Sequence, residues 1–227
     1  MVIRLNKYIS NSGLCTRREA DAYIVDGRVK VDKKIVKTLG YKVSLNAEVR
    51  VDNKIIVPYL YSYILLNKPI DFKLKGENNI YNLLSSSKID NLSITEKNID
   101  DLKGLVVFSN DIEFNKNFRT FLTKINQLFH VKFKNPISLK NLHFLRKNKS
   151  KNLKITSVDF VNNTSKNEIG LELITDHYLN VIGLLKSLKN EIISIDRVLI
   201  DNISKKKLSR GKWRFLSYKE LSNFKSI

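Results

Sequence analysis

Beyond residue 61 the chain is a succession of short apolar or alternating runs broken by two stretches of helical periodicity, and that pattern restricts it to an α+β fold. Residues 63–66, 104–108, 129–133, 153–160, 168–174 and 191–200 have the length and patterning of strands. Residues 112–122 and 178–188 have the spacing of amphipathic helices, the second with apolar side chains at 181, 184, 185 and 188. Strands so dominant, with helices packed against them, predict a mixed, largely antiparallel sheet.

The first quarter has a different texture. Residues 5–12 read as a short helix, and Thr16-Arg17-Arg18-Glu19 fits a capping box opening a second helix over 17–26. Ala20 and Ile24 share a face of that helix, and Gly27 suits the left-handed residue just past its end. Residues 28–31 and 48–52 then alternate charge and valine, as half-buried strands do. The uncharged Val57-Pro58-Tyr59-Leu60, with a proline that holds its predecessor extended, marks a boundary too short for a loose tether. The expected domains are 1–56 and 61–227, joined by 57–60.

Charge narrows the partners. Of 227 residues, 41 are Lys or Arg and 22 Asp or Glu, a formal net charge of +19. Residues 1–56 hold 12 basic and 6 acidic side chains, so both parts of the chain are basic. Such a field draws a protein to polyanions. One cysteine permits no internal disulfide, and the dispersed His130, His143 and His177 cannot assemble a Cys/His zinc cluster. No apolar run approaches the ~18 residues of a membrane span, and MVIRLNKY lacks the apolar stretch of a secretory signal. An intracellular setting is expected, either a bacterial cytoplasm or an organelle with its own ribosomes. No DNA-reading motif and no long helix with one cationic and one apolar face is present, so RNA leads the polyanions.

The stretch RLNKYISNSGLCTRREADAYIVDGRVKVD, Arg4 to Asp32, resembles the small RNA-binding domain named after ribosomal protein S-four, also called the alpha-L motif. The resemblance implies an RNA-gripping surface of Arg4 and Lys7 on the first helix, Arg17 and Arg18 opening the second, and Arg28 and Lys30 about the first strand. Guanidinium and ammonium groups so clustered can hold phosphates. Cys15 reads as a small core residue.

Further on, LNKP (Leu66 to Pro69), GLVVFSND (Gly104 to Asp111) and IDRVLIDNISKKKLSRGKWRFLSYKEL (Ile195 to Leu221) resemble the RsuA/RluB-type ribosomal RNA pseudouridine synthases. That resemblance implies a pseudouridine-synthase-like domain with neither cofactor nor metal. In it an aspartate of a GRLDxDSxGL-like loop acts as the nucleophile that lets uracil detach, rotate and reattach through carbon.

Three places depart from the family pattern. Anchored on Gly104-Leu105, the nucleophile position holds Ile99, with Lys97 at the arginine, Asp101 at the second aspartate and Asp100 one place off. Anchored on Asn135-Pro136-Ile137, the active-site tyrosine falls on Phe129 and a basic residue on Gln127. The basic helix lining the uridine site is replaced by HYLNVIGLL, without arginine, and His177 reads as a surface histidine rather than a base. The expectation from sequence is a non-catalytic RNA-binding relative, a pseudoenzyme serving as a ribosome-bound component or assembly factor. It would be monomeric apart from the ribosome, with ribosomal RNA or ribosomal particles as partner and no membrane association. The alternative is a working synthase that uses Asp100 in a rearranged loop. Two further basic segments are candidate backbone contacts: Arg146, Lys147, Lys149, Lys151 and Lys154, read as one loop, and the run from Lys205 to Lys219, with Trp213 and Phe215 packing the sheet.

Overall fold

The computed structural model describes residues 2–59, 61–150 and 152–225. It divides into two compact units, Met1–Tyr61 and Ser62–Ile227.

In the first unit, β1 (Val2–Arg4) leads directly into α1 (Leu5–Asn11), followed by α2 (Arg17–Val25), β2 (Val29–Val31), β3 (Lys34–Ile35), β4 (Lys42–Ser44), β5 (Val49–Val51) and β6 (Lys54–Ile56). The capping box is present: the Thr16 hydroxyl accepts from the Glu19 N–H, and the Glu19 carboxylate accepts from the Thr16 N–H at 2.7 Å. Strands run β3-β2-β5-β6, all antiparallel, while β1 pairs with β4. Two hairpins close through two-residue turns, Asp32-Lys33 and Asp52-Asn53, all four residues at positive φ. That is the geometry a right-twisted hairpin requires; Asp and Asn tolerate it, and Lys33 adopts it beside Asp32. Val29, Val31, Val49 and Val51 turn inward against Leu5, Ile9, Ala20 and Ile24.

The second unit contains β7 (Tyr63–Lys68), a 3-10 segment (Ile80–Ser87), β8 (Ser93–Ile94), β9 (Leu102–Ser109), α3 (Ile112–Leu122), β10 (Gln127–Phe133), α4 (Leu139–Lys147), β11 (Lys149–Ser150), β12 (Leu153–Phe160), β13 (Glu168–Thr175), α5 (Tyr178–Lys186), β14 (Ile192–Ile200), β15 (Ile203–Ser204), β16 (Trp213–Phe215) and α6 (Tyr218–Lys225). One ten-stranded sheet follows the path β11-β12-β13-β10-β14-β9-β7-β16, with β15 against β14 and β8 against β9. The pairing of β14 with β9 is parallel and the other pairs are antiparallel. The expected α+β architecture with a mixed, mostly antiparallel sheet is thus the one observed.

Alternation along β7 sends Ile64 and Leu66 to one core and Tyr63 and Leu65 to another. Both faces of the central strands are therefore buried, the second beneath Phe118, Phe121 and Leu122 of α3. Where β9 meets β14, Gly104 sits at φ +100°, opposite Arg197. A Cβ there would lie 2.2 Å from the Arg197 carbonyl oxygen and 2.4 Å from Asp196 Oδ1, so the glycine is dictated by close approach.

Several sequence expectations need correction. The basic loop around residue 146 does not exist as such: Arg146 and Lys147 end α4, Lys149 lies in β11 and Lys154 in β12, while Lys151 and Leu60 lie outside the described residues. The carboxyl-terminal run is partly spent on internal ion pairs, Lys205 and Arg210 with Asp196, and Arg214 with Glu220. Burial raises the Asp196 pKa, but hydrogen bonds from Arg210 and Lys205 outweigh it and hold the carboxyl below the usual range. Trp213 packs on the core as expected, whereas Phe215 is exposed.

Candidate active site

The parallel junction of β9 and β14 organises a charged centre. Arg197, 1% exposed, donates from Nε to the Leu105 carbonyl at 2.8 Å and from Nη1 to Gln127 Oε1 at 3.1 Å. Its remaining face meets the Glu96 carboxylate through two bonds, Nη1 to Oε1 at 2.9 Å and Nη2 to Oε2. A fork-on-fork pair of this kind fixes the orientation of both groups. Glu96 stands on the loop between β8 and β9, whose start is pinned by Thr95: its N–H and hydroxyl both donate to the Val107 carbonyl, at 3.1 and 3.0 Å.

The rest of the loop is held from the opposite side. Lys68, wholly buried at the end of β7, donates to the carbonyls of Asp100 at 2.9 Å, Leu102 at 2.8 Å and Pro69 at 3.2 Å. Burial pulls its pKa down to about 8, against the opposing pull of Asp100 and Asp101. Ile99 is buried in the main core and carries the loop inward. The Asp100 carboxylate accepts the Leu74 N–H at 2.9 Å, and Asp101 is exposed.

Tyr178 opens α5, after the His177 cap. It is 3% exposed and donates its hydroxyl to the Asp101 carbonyl at 3.2 Å. Burial pushes the phenol pKa upward, Asp101 adding to the shift and Arg197 opposing it. Its ring stacks on Phe129, centroids 6.4 Å apart. Phe129 is itself fully buried, so it backs Tyr178 rather than facing a ligand. Gln127 is buried too, joining Arg197 to the Thr175 carbonyl, to which its Nε2 donates at 2.8 Å.

A cavity of about 230 Å³ opens over this centre. Thr95, Glu96 and Tyr178 line it together with Lys97 from the loop, Asn115, Lys116 and Arg119 from α3, and Asp176 and His177 ahead of α5. Of the residues singled out from the sequence, the cavity contains Lys97 and His177 but neither Ile99, Asp100 nor Phe129. Glu96, Tyr178 and Arg119 were missed. The signal that could have found Glu96 is Arg197: an arginine inside an apolar strand such as IDRVLI calls for a buried carboxylate partner.

On the first unit, Arg4, Lys7, Arg17 and Arg18 are exposed. Arg28 is engaged instead: Nε bonds Asp52 Oδ1 at 2.9 Å, and the guanidinium lies 3.9 Å from the Tyr23 ring centroid. Lys30 donates to Asn53 Oδ1 at 2.9 Å.

Comparison with known proteins agrees with the two-part reading. Residues 3–49 match the S4 domain model. An uncharacterised RNA pseudouridine synthase of Aquifex aeolicus (strain VF5) is 27% identical, covering 100% of this chain and 96% of its own. Ribosomal small subunit pseudouridine synthase A of Vibrio parahaemolyticus is 26% identical over 97% of this chain and 99% of its own. The dual-specificity RNA pseudouridine synthase RluF of Escherichia coli K12 is 40% identical over 93 residues, 38% of this chain. A crystal structure of a pseudouridylate synthase superposes with a TM-score of 0.57 at 21% identity, covering 98% of this chain and 99% of that one, which establishes the shared fold.

These relatives overturn the expectation of a non-catalytic, ribosome-bound pseudoenzyme, since the proteins that span the whole chain carry the names of synthases. The expectation rested on three departures, at Ile99, at Phe129 with Gln127, and at the arginine-free helix; Ile99 and Phe129 are core residues, while Glu96, three places before Ile99, lines the cavity. Residues 3–49 are an S4 domain, the remainder has the pseudouridine synthase fold, and over its full length the chain resembles RNA pseudouridine synthases of the RsuA/RluF type.

Proposed function

We propose that this chain isomerises uridine to pseudouridine in RNA, with ribosomal RNA as the substrate class and Glu96 as the working carboxylate. The observation that carries the proposal is the pairing of Glu96 with buried Arg197 on the wall of a cavity, in a chain similar to named synthases from end to end. An ionised carboxylate has about four acceptor sites, so one oxygen face stays available while Arg197 holds the group.

The reaction needs no net reagent. The N1–C1′ bond of uridine breaks as a Glu96 oxygen takes C1′. The uracil turns in the cavity, and its C5 displaces the carboxylate to form the C5–C1′ bond. The proton lost from C5 is matched by the one gained at N1, so atoms and charge balance. The Tyr178 ring, stiffened by Phe129 behind it, supplies a flat wall for the rotating base. The S4 domain brings the RNA, with Arg4, Lys7, Arg17 and Arg18 as its phosphate contacts, and Arg28 and Lys30 chiefly ordering the sheet through Asp52 and Asn53.

The purified full chain, incubated with ribosomal RNA fragments and mapped for pseudouridine by chemical modification, should yield a modified uridine. Glu96→Gln should lower the rate at least about 10³-fold, while Asp100→Asn leaves it within a few-fold. Because Glu96→Gln also strands Arg197, Glu96→Asp, which keeps the charge, serves as the folding control. Absence of pseudouridine with the wild-type chain would overturn the activity. Loss on Asp100→Asn but not on Glu96→Gln would move the carboxylate to Asp100.

A further inference from the structure

We infer that the mouth of the Glu96 cavity is a phosphate subsite, built by Lys97, Lys116, Arg119 and His177, that grips the backbone phosphodiester beside the target nucleotide. This inference rests on the proposed reaction for its choice of ligand.

The charge balance of the cavity leads to it. Its two carboxylates are both committed, Glu96 to Arg197 and Asp176 to Arg119, whose Nε lies 2.8 Å from Asp176 Oδ2. Asn180 adds a bond from its amide to Asp176 Oδ1 at 3.1 Å, so the carboxylate that orients Arg119 is itself fixed. Lys97 and Lys116 line the same space, are exposed, and have no carboxylate partner among the described residues. Lys116 and Arg119 are three apart on α3 and therefore project from one face. His177 Nδ1 accepts the Leu179 N–H at 3.1 Å, which places the ring proton on Nε2 as a donor. Cations in excess over carboxylates, beside a ring N–H, suit an oxyanion with several acceptor oxygens.

The position also answers a deficit. α5, which borders the cavity, contributes no arginine, its YLNVIGLLK sequence having a single cation at Lys186 in the last turn. In this chain the charge comes instead from α3 and from the loop before β9, across the cavity from α5. The Glu96 carboxylate and the cations Lys97, Lys116 and Arg119 thus line one cleft, as a nucleotide with a reactive sugar and a flanking phosphate requires.

The test uses the full chain with an oligonucleotide containing the modified uridine, measured both for turnover and for equilibrium binding across a salt series. Lys97→Ala/Lys116→Ala should raise KM about tenfold with kcat within about twofold. It should also flatten the dependence of log affinity on log salt by about 1.4, at ~0.7 for each lost contact to single-stranded RNA. Lys97→Arg/Lys116→Arg should restore both values, and Lys140→Ala, on α4 outside the cavity, should change neither. An active wild type whose KM and salt slope are unmoved by the double alanine variant overturns the subsite, as does a fall in kcat alone. An inactive wild type whose binding still weakens and flattens in the variant supports the subsite and overturns the proposed reaction instead.

Discussion

Gly104 has space for a hydrogen atom and nothing larger, because the Arg197 and Asp196 atoms it faces belong to the strand that carries the charged centre. Gly104→Ala combines a strained φ with a backbone clash and should cost about 2–4 kcal/mol in urea unfolding; an unchanged midpoint would show that the strands separate freely. Lys68 makes a different kind of prediction. Unfolded it titrates near 10.5, and folded at about 8 because of burial. Between these values the unfolded chain binds more protons, so the contribution of Lys68 to stability is lowest below pH 8 and rises as pH climbs toward about 10.5. Lys68→Met should remove that rise, read as the difference in unfolding free energy between pH 7 and pH 9.5 in variant and wild type, although the variant is weaker overall for leaving three carbonyls without their donor.

Among the elements, those with a strong periodic signal were legible before any coordinates. α3 spans Ile112–Leu122 as expected, β12 spans Leu153–Phe160, and α2 begins at its capping box. Thr16→Ala should cost about 1 kcal/mol, measured by thermal or urea unfolding, since it leaves the Glu19 N–H without its acceptor. Elements that were missed lacked such a signal for identifiable reasons. β3 and β6, only two and three residues long, are set by the positive-φ turns before them rather than by alternation. The 3-10 segment Ile80–Ser87 shows no periodic signal because its winding needs only Ile80 and Leu84 buried and ends in the polar Ser85-Ser86-Ser87. α4 hides its apolar pair, Leu142 and Leu145, among Lys, Asn and Arg side chains. The same logic separates the two halves of the site. Gly104-Leu105 could be anchored by motif, whereas Glu96 acquires meaning only once β14 lies beside β9 and delivers Arg197.

At the scale of the whole molecule, the chain joins an S4 domain to a unit with the pseudouridine synthase fold, and net charge describes neither well. Three of the seven cations in the carboxyl-terminal basic run are paired with Asp196 and Glu220, while Arg4, Lys7, Arg17 and Arg18 stay exposed in the S4 domain. Four duplex phosphate contacts there give a slope of about −3.6 in log affinity against log salt, a loss of roughly 150-fold between 50 and 200 mM. An affinity that barely responds to salt would rule out phosphate gripping by this surface.

The bond from Arg197 to Glu96 spans 101 residues of chain. Long-range pairings close slowly and domains fold as they are made, so synthesis imposes an order on this protein. The S4 domain is complete when residue 61 leaves the ribosome, but Glu96 has no counter-ion until β14 is translated, near the end of the chain. A nascent copy therefore completes its RNA-binding fold well before Glu96 can meet Arg197.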